Sequence, residues 1–161
     1  MGERRAHLQA AVDRLGCVGV RVLACSSTYD TDPVGEILDQ PAFLNACVRI
    51  ETGLGPEELL RSCKAIEAEL GRDLQGGVRH APRPIDVDLL LLGDQAYGSD
   101  RLTIPHPQAT SRRFVLIPLL ELDFDLRTPD GARLSDRLAA MPLDEGVRRD
   151  GPPLHLPAHG P

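Results

Sequence analysis

Residues 84–93 constrain the fold more than any other segment, because two acidic side chains lie within an otherwise apolar stretch that reads PIDVDLLLLG. A short apolar stretch of this kind is typical of a buried β-strand. Asp86 and Asp88 are two positions apart, and side chains at that spacing project from the same face of a strand. Burying two like charges there is costly unless a cation or hydrogen-bond donors offset them. The segment therefore predicts a strand with a paired carboxylate site on one face.

The spacing of apolar residues alternates between helical and strand-like periods along the chain. Apolar residues at helical spacing predict helices, and alternating ones predict strands. The predicted elements are a helix at 3–15, strands at 18–29 and 43–52, a helix at 55–71 that ends at Gly71, a strand at 84–93, and a helix at 110–122 interrupted by Pro118. This order indicates an α+β fold in which helices cover one face of an antiparallel sheet.

The length of the chain, 161 residues, is that of one domain. We assign this domain to residues 1–145. Residues 146–161 are rich in proline and carry almost no apolar pattern, so we interpret them as a disordered tail. Two irregular stretches, 30–41 and 72–83, interrupt the regular elements, and loops of this length in a compact domain usually carry function.

The charge balance and the absence of long apolar runs exclude several classes of protein. Acidic residues outnumber basic ones 24 to 18, for a formal net charge of −6, which argues against a general nucleic-acid or membrane-surface binder. No apolar run approaches the roughly 20 residues that cross a bilayer, and the first residues lack the apolar stretch of a signal peptide. We therefore expect a cytoplasmic protein whose four cysteines are reduced, buried and without a chemical role.

Basic side chains gather on both sides of the aspartate pair, although the chain as a whole is acidic. They are Arg72, Arg79, His80 and Arg83 before the pair, and Arg101, His106, Arg112 and Arg113 after it. Carboxylates that hold a metal, next to arginines that neutralise phosphate oxygens, are typical of a magnesium–polyphosphate site. Two other interpretations remain open: aspartates at a sheet edge that are bonded to arginines, and solvated loops that carry surface ion pairs.

Several other residues have both a binding and a structural interpretation. Phe43 and Asn45 share a strand face, so the ring could stack on a flat heterocycle while the amide reads its edge, or both could pack in the core. His106 lies between two prolines that hold its backbone extended, so it is either a phosphate donor or a plain surface histidine. Phe114 by itself is equally open.

Seven stretches of the sequence match one known family in their motifs and in their order. They are SSTYDTDPVG, DQPAFLNACVRIET, PEELL, IEAELGR, VRHAPRPIDVDLLLLG, RLTIPHP and RRFVLIPLLEL, spread over roughly residues 3–131. Together they closely resemble the 6-hydroxymethyl-7,8-dihydropterin pyrophosphokinases of the folate pathway. The resemblance implies a ferredoxin-like antiparallel sheet with helices packed on it. It also implies transfer of pyrophosphate from ATP to the hydroxymethyl group of the pterin, with release of AMP.

The resemblance further implies the residues of the site. It assigns catalysis to Arg72, Arg79, Arg83, Asp86 and Asp88, with two magnesium ions held by the two aspartates. It assigns ATP contacts to Lys64, Glu67, Arg101, Leu102, Thr103, His106 and Arg112. It assigns pterin contacts to Thr31, Val34, Gly35, Phe43, Asn45, His80 and Phe114. The implied partners are ATP and 6-hydroxymethyl-7,8-dihydropterin, without nucleic acid or membrane, for a monomer that can associate with other folate-pathway enzymes.

The sequence departs from the family pattern in three respects. Members normally begin with a strand before the first helix, whereas this sequence starts at the helix, so we expect the first strand to be missing from this chain. Without that strand we expect exposed apolar sheet surface and unpaired backbone groups. His80 stands where a loop tryptophan is common, and Lys64 replaces a more usual glutamine. Two alternatives therefore stay open: an inactive or weakened relative that is retained as a binding partner of another folate enzyme, and another magnesium-dependent nucleotide-binding enzyme.

Overall fold

The computed structural model describes residues 2–31, 43–74, 85–107, 111–141 and 146–157. Within these ranges the helices are α1 (Gly2–Leu15), α2 (Pro56–Leu74), α3 (Arg113–Leu122) and α4 (Leu134–Ala139). The strands there are β1 (Val20–Cys25), β2 (Thr28–Thr31), β3 (Phe43–Asn45), β4 (Val48–Thr52), β5 (Tyr97–Gly98), β6 (Thr103–Ile104) and β7 (Val147–Gly151). This mixture of helices and antiparallel strands confirms the α+β class. None of the described helices combines the length and the apolar character needed to cross a bilayer.

The two long predicted strands are each divided in two, and the halves belong to different sheets. β1 pairs with antiparallel β4, whereas β2 lies between β3 and β7 in a three-stranded antiparallel sheet. The division occurs where Ser26 N donates to Cys47 O at 2.8 Å and Cys47 N donates to the Ser26 hydroxyl oxygen at 2.9 Å. The hydroxyl thus replaces a backbone acceptor, which keeps a buried amide paired where the chain changes sheet.

The first core lies between the β1–β4 pair and the helices α1 and α2. Val20 and Val22 are buried while Arg21 between them is exposed, as the alternating pattern predicts. The buried residues of this core are Ala11, Val12, Leu15, Val20, Val22, Leu59, Ile66, Leu70, Ile85 and Leu154. Helix α2 continues to Leu74, past the predicted end at Gly71. A glycine in a helix costs about 1 kcal/mol relative to alanine but does not by itself end the helix.

The second core joins α3 and α4 to the β3–β4 corner. Its buried members are Cys47, Leu116, Leu119, Leu120 and Leu134. The sequence predicts an interruption of the helix at Pro118, but α3 is continuous from Arg113 to Leu122 and buries Pro118. Proline lacks the N–H that would bond one turn back, so it removes one hydrogen bond without ending the helix.

Residues 85–92 form no strand ladder with the described parts of the chain, so the prediction of a strand at 84–93 is wrong for these residues. Hydrogen bonds to α2 and to His106 help to hold this segment. Val87 N donates to the Glu67 carboxylate of α2 at 2.6 Å, and Leu90 O accepts from His106 N at 2.9 Å. Among the described residues, a carboxylate of α2 and the backbone of His106 therefore bond to the segment where the sequence predicts a ladder.

The interpretation of residues 146–161 as a disordered tail is wrong for residues 146–157. Strand β7 pairs with β2 in an antiparallel register that runs from Thr28 opposite Gly151 to Thr31 opposite Val147. Beyond the strand, Leu154 is 5% exposed and belongs to the first core. The folded domain therefore continues past residue 145, while residues 158–161 lie outside the described ranges.

Side chains of α1 bind the backbone of this C-terminal segment. Arg5 Nη1 donates to Pro152 O at 2.9 Å, and Arg5 Nη2 donates to Pro153 O at 3.1 Å. Gln9 Nε2 donates to His155 O at 2.8 Å, and His155 N donates back to Gln9 Oε1 at 2.8 Å. Proline-rich segments have few amide donors but keep their carbonyls, so cationic and amide side chains can hold them without a regular ladder.

Candidate active site

The aspartate pair lies on one exposed side of the 85–92 segment. Asp86 and Asp88 are both exposed, and Val87 between them is half-buried, which is the alternation that the sequence predicts. The amide of Val87 donates to Glu67 Oε2 at 2.6 Å, and Glu67 is only 4% exposed. This inward bond fixes the orientation of the peptide between the aspartates and leaves both carboxylates on the outside.

Neither Asp86 nor Asp88 makes a hydrogen bond or an ion pair with another residue in the described ranges. The interpretation that arginines hold the pair has no support there, although Arg83 lies outside the described residues. Within those ranges, no three histidine, cysteine or acidic side chains group closely enough to hold a metal ion. Two exposed carboxylates nevertheless offer oxygen ligands of the type that Mg²⁺ binds while it keeps part of its water shell.

The cysteine near the aspartates is buried and unreactive. Burial raises the pKa of the Cys63 thiol to about 11, and the negative charges of Glu67 and Asp88 add to this shift. A thiol that stays protonated at neutral pH is a poor nucleophile. The prediction that all four cysteines are buried is wrong for Cys17, which is exposed, and for Cys25, which is half-buried.

The two α2 residues assigned to ATP have different surroundings. Lys64 Nζ lies 3.4 Å from Glu67 Oε1, and the Lys64 side chain is exposed. Its ammonium group is therefore accessible to an anionic ligand. The carboxylate of Glu67 instead faces the backbone of the aspartate segment.

The hairpin β5–β6 carries the next group of predicted ATP residues. Leu102 and Ile104 are buried, while Thr103 between them is exposed. The side chain of Arg101, just before β6, is 67% exposed. The hairpin thus buries its two apolar side chains and presents Arg101 and Thr103 outward.

His106 connects this hairpin to the aspartate segment, because its amide N donates to Leu90 O at 2.9 Å. The residue is half-buried, less accessible than the flanking prolines suggested. It borders an open hollow of about 330 Å³. The hollow is lined by Ala96, Pro105, His106, Pro107, Thr128, Pro129, Asp130 and Arg137.

The described residues that are assigned to the pterin lie in two places. Thr31, Phe43 and Asn45 lie in the β2–β3 pair, and Phe114 lies at the start of α3. Asn45 Nδ2 donates to Thr31 Oγ1 at 2.9 Å, and Thr31 pairs with Phe43 across the two strands. The guanidinium of Arg112 lies 5.7 Å from the centre of the Phe114 ring, within the range of a cation–π contact. Two of these side chains, Thr31 and Asn45, are therefore in direct contact.

Part of the predicted site lies outside the described residues. These positions are Val34, Gly35, Arg79, His80 and Arg83. Arg72 lies in the last turn of α2 and Phe43 in β3, and for both the description is limited to the backbone.

Sequence reasoning missed the carboxylate of Glu121. Its Oε2 atom accepts from Ser27 N at 2.9 Å and from the Ser27 hydroxyl at 3.0 Å, and its Oε1 atom accepts from the Tyr29 hydroxyl. The same Ser27 hydroxyl oxygen accepts from Arg149 Nε of β7 at 3.0 Å. Partial burial alone would raise the pKa of Glu121, but the bonds from Tyr29 and Ser27 outweigh burial and lower it. The available signal was its position as the one acidic residue in the apolar helix α3.

Comparison with known proteins identifies a family for this chain. The model of the 7,8-dihydro-6-hydroxymethylpterin-pyrophosphokinase family matches residues 1–124. A 2-amino-4-hydroxy-6-hydroxymethyldihydropteridine pyrophosphokinase of Pseudomonas aeruginosa is 43% identical over 152 residues, which cover 92% of this chain and 90% of that relative.

Longer relatives match over a smaller share of their length. A folate synthesis bifunctional protein of Arabidopsis thaliana is 43% identical over 122 residues, 76% of this chain and 25% of that protein. A folic acid synthesis protein of Schizosaccharomyces pombe is 41% identical over 150 residues, 92% of this chain and 20% of that protein. The chain therefore corresponds to one part of these longer proteins.

Proposed function

The chain belongs to the 7,8-dihydro-6-hydroxymethylpterin-pyrophosphokinase family, and from that premise we propose the reaction that it catalyses. It transfers pyrophosphate from ATP to the hydroxymethyl group of 6-hydroxymethyl-7,8-dihydropterin and releases AMP, as a step in folate biosynthesis. The observation that carries the proposal is the 43% identity to a named pyrophosphokinase across 90% of that relative's length.

Magnesium is the metal that the aspartate pair fits best. Asp86 and Asp88 offer exposed carboxylate oxygens, and Glu67 fixes the peptide between them. Magnesium binds through one or two carboxylates together with phosphate oxygens and water, so two such side chains suffice without a closed protein cage. Two magnesium ions held there would neutralise the triphosphate and orient it for the transfer.

The transfer depends on positioning and on positive charge, so it needs no covalent nucleophile. The hydroxymethyl oxygen attacks the β-phosphorus of ATP in line and forms a new oxygen–phosphorus bond. The hydroxyl proton passes to solvent water, and the bond from the β-phosphorus to the bridging α–β oxygen breaks as AMP leaves. We assign the phosphate contacts during this step to Arg72, Arg79 and Arg83, because guanidinium groups bind phosphate oxygens through paired hydrogen bonds.

ATP would lie along α2 and the β5–β6 hairpin. Its contacts are assigned to Lys64, Glu67, Arg101, Leu102, Thr103, His106 and Arg112. The exposed cations of Lys64 and Arg101 support this placement. The bond from His106 N to Leu90 O also supports it, since it ties the end of the hairpin to the segment of the aspartates.

The pterin would bind at the β2–β3 pair, in contact with Thr31, Val34, Gly35, Phe43, Asn45, His80 and Phe114. The bond from Asn45 Nδ2 to Thr31 Oγ1 supports a role for Asn45. It holds the amide in one orientation, which leaves the amide oxygen to accept from an N–H group of the heterocycle.

A ferredoxin-like sheet is the finer arrangement that we propose for the fold. In that arrangement the β1–β4 pair and the 85–92 segment belong to one antiparallel sheet. Two observations support it. The burial of residues 85–88 begins by alternating, and Ile85 is buried in the same core as Val20 and Val22 of β1.

Replacement of Asp88 tests the proposed site. We expect Asp88→Asn to lower AMP release from ATP, magnesium and 6-hydroxymethyl-7,8-dihydropterin by at least about 100-fold, because the substitution removes a charged metal ligand. The matched control is Asp94→Asn, which alters an exposed aspartate next to Gly93 that we assign to no ligand. Equal activity of the two variants, with circular dichroism confirming that both are folded, would contradict the metal assignment.

The same assay decides the competing interpretation of an inactive binding partner. An inactive or weakened relative would release no AMP or only traces of it at saturating substrate concentrations, whereas the proposed function predicts sustained turnover of both substrates. We place the active form in the cytoplasm as a monomer that can associate with other folate-pathway enzymes. The bifunctional relative supports such an association.

A further inference from the structure

A carboxylate at the start of α2 binds the hairpin that carries the assigned ATP contacts. Glu57 Oε2 accepts from the Tyr97 hydroxyl at 2.6 Å and from the Ser99 hydroxyl at 2.7 Å. Its other oxygen, Oε1, lies 3.1 Å from Arg101 Nη2. One side chain of α2 therefore contacts three residues of the hairpin.

Ser99 extends this contact to the backbone of the hairpin. Its hydroxyl donates to Glu57, and its oxygen accepts from Arg101 N and from Leu102 N at 3.2 Å each. The backbone of Ser99 closes the same turn, because Ser99 N donates to Leu102 O at 2.8 Å. A serine hydroxyl has one donor and two acceptor sites, so Ser99 is fully used in holding the chain just before Thr103.

The ion pair between Glu57 and Arg101 restrains one side of the guanidinium. The Glu57 side chain is 27% exposed and that of Arg101 is 67% exposed. Glu57 Oε1 is buried and makes no hydrogen bond with the described residues. Its contact with Arg101 is therefore an ion pair without hydrogen-bond geometry. The hydrogen bonds from Tyr97 and Ser99 lower the pKa of Glu57, which keeps it ionised at neutral pH. The remaining guanidinium nitrogens stay accessible to an anion.

We propose that Glu57 is a positioning residue for ATP, which acts by holding the Arg101 guanidinium and the Ser99 turn in the orientation that receives the nucleotide. The inference rests on the proposed function, since that function assigns Arg101, Leu102 and Thr103 to ATP. An arginine side chain has many rotamers, and binding must select one of them. If the Glu57 carboxylate holds Arg101 in that rotamer before ATP binds, ATP binding becomes more favourable although Glu57 does not contact ATP.

Glu57→Gln separates positioning from general stability. The amide oxygen can still accept from the two hydroxyls, but the amide N–H₂ would face Arg101 where the carboxylate now lies. We expect the KM for ATP to rise by about three- to ten-fold while kcat and the KM for the pterin stay within about two-fold. The matched control is Glu58→Gln, which removes an exposed acidic charge from the same first turn of α2 and leaves the KM for ATP unchanged.

A double-mutant cycle with Arg101→Ala shows whether Glu57 acts through Arg101. We expect Arg101→Ala to raise the KM for ATP, and we expect Glu57→Gln to add less than about two-fold in that background. A normal KM for ATP in Arg101→Ala would refute the assignment of Arg101 to ATP, and the inference with it. A raised KM in Arg101→Ala together with a normal one in Glu57→Gln would overturn the inference alone.

Loss of folding is a separate outcome with its own readout. Equal rises in both KM values, together with a lower Tm, would show that Glu57 is merely structural and would overturn the proposal. If Glu57→Gln does not fold, Tyr97→Phe replaces it, because this variant removes one donor to Glu57 and leaves its charge in place. A KM for ATP raised selectively by about two-fold supports the proposal, and an unchanged KM refutes it.

Discussion

At the scale of single residues, burial and the contact with Glu121 together raise the pKa of Tyr29. Burial raises the pKa of Tyr29 to about 12, and its hydrogen bond to Glu121 adds to the shift. The folded state therefore holds this proton more tightly than the unfolded chain, whose tyrosines titrate near pH 10. We expect stability to fall as the pH rises from about 10 to about 12, because only the unfolded chain loses the proton in that range. Urea unfolding across this range measures the fall.

A spectroscopic titration isolates this tyrosine. The chain contains two tyrosines and no tryptophan, so in Tyr97→Phe the near-ultraviolet phenolate signal comes from Tyr29 alone. A midpoint near pH 10 in that variant would contradict the shift. Tyr29→Phe is the matched control for stability. Its unfolding free energy should decrease less between about pH 10 and 12 than that of the wild-type protein, because the contribution of Tyr29 is absent.

The residues of the site differ in how far the sequence alone predicts them. The spacing of Asp86 and Asp88 predicts two carboxylates on one side of the chain, and the structure exposes both there. Glu57 has no such local signal, and the position of Glu121 as the one acidic residue of α3 does not indicate its partners, because the partners of both residues are distant in sequence. Tyr97 lies 40 positions from Glu57, and Ser27 lies 94 positions from Glu121. Only the tertiary fold brings these groups together.

At the scale of elements, the C-terminal segment contributes to stability. Leu154 is buried in the first core, whereas Leu156 two positions later is 51% exposed. We expect Leu154→Ala to lower the free energy of unfolding by about 2–4 kcal/mol, since it removes buried methyl groups and leaves a cavity. Leu156→Ala is the matched control and should change stability by less than about 0.5 kcal/mol. Urea denaturation measures both, and equal small effects would contradict the docking of this segment.

Helices and strands could be predicted from the sequence where the spacing of their own apolar residues determines the type of element. The apolar stripe of α2 and the alternation of β1 follow directly from the sequence. The strand β7 does not, because its five residues include only one apolar side chain, Val147, and its pairing comes from the edge of β2. The division of the long strands depends on the hydroxyl of Ser26 and the amide of Cys47, a contact across the sheet that no local pattern contains.

At the scale of the whole molecule, two continuous segments of the chain connect the two larger sheets. β1 continues into β2 through Ser26, and β3 continues into β4 through Cys47. Each of these two continuous segments therefore contributes one strand to each sheet. We expect a single unfolding transition. Leu59→Ala in the first core and Leu116→Ala in the second should each lower its midpoint, at a cost of about 3–5 kcal/mol for these fully buried sites.

Calorimetry compared with circular dichroism checks this expectation. Coincident transitions in both variants would agree with a single cooperative unit. Two separate transitions, each moved by only one of the substitutions, would contradict it. Leu23→Ala, on the exposed side of β1, is the control for the loss of a leucine outside both cores.

The contacts of α2 also limit which insertions the chain tolerates. Glu57 anchors the hairpin near the start of the helix, and Glu67 anchors the aspartate segment about 15 Å further along the axis, at about 1.5 Å per residue. One residue added between them would turn one carboxylate by about 100° relative to the other and shift it by about 1.5 Å. The two glutamates could not then both reach their partners. The number of residues between Glu57 and Glu67 is therefore fixed by the geometry of the site.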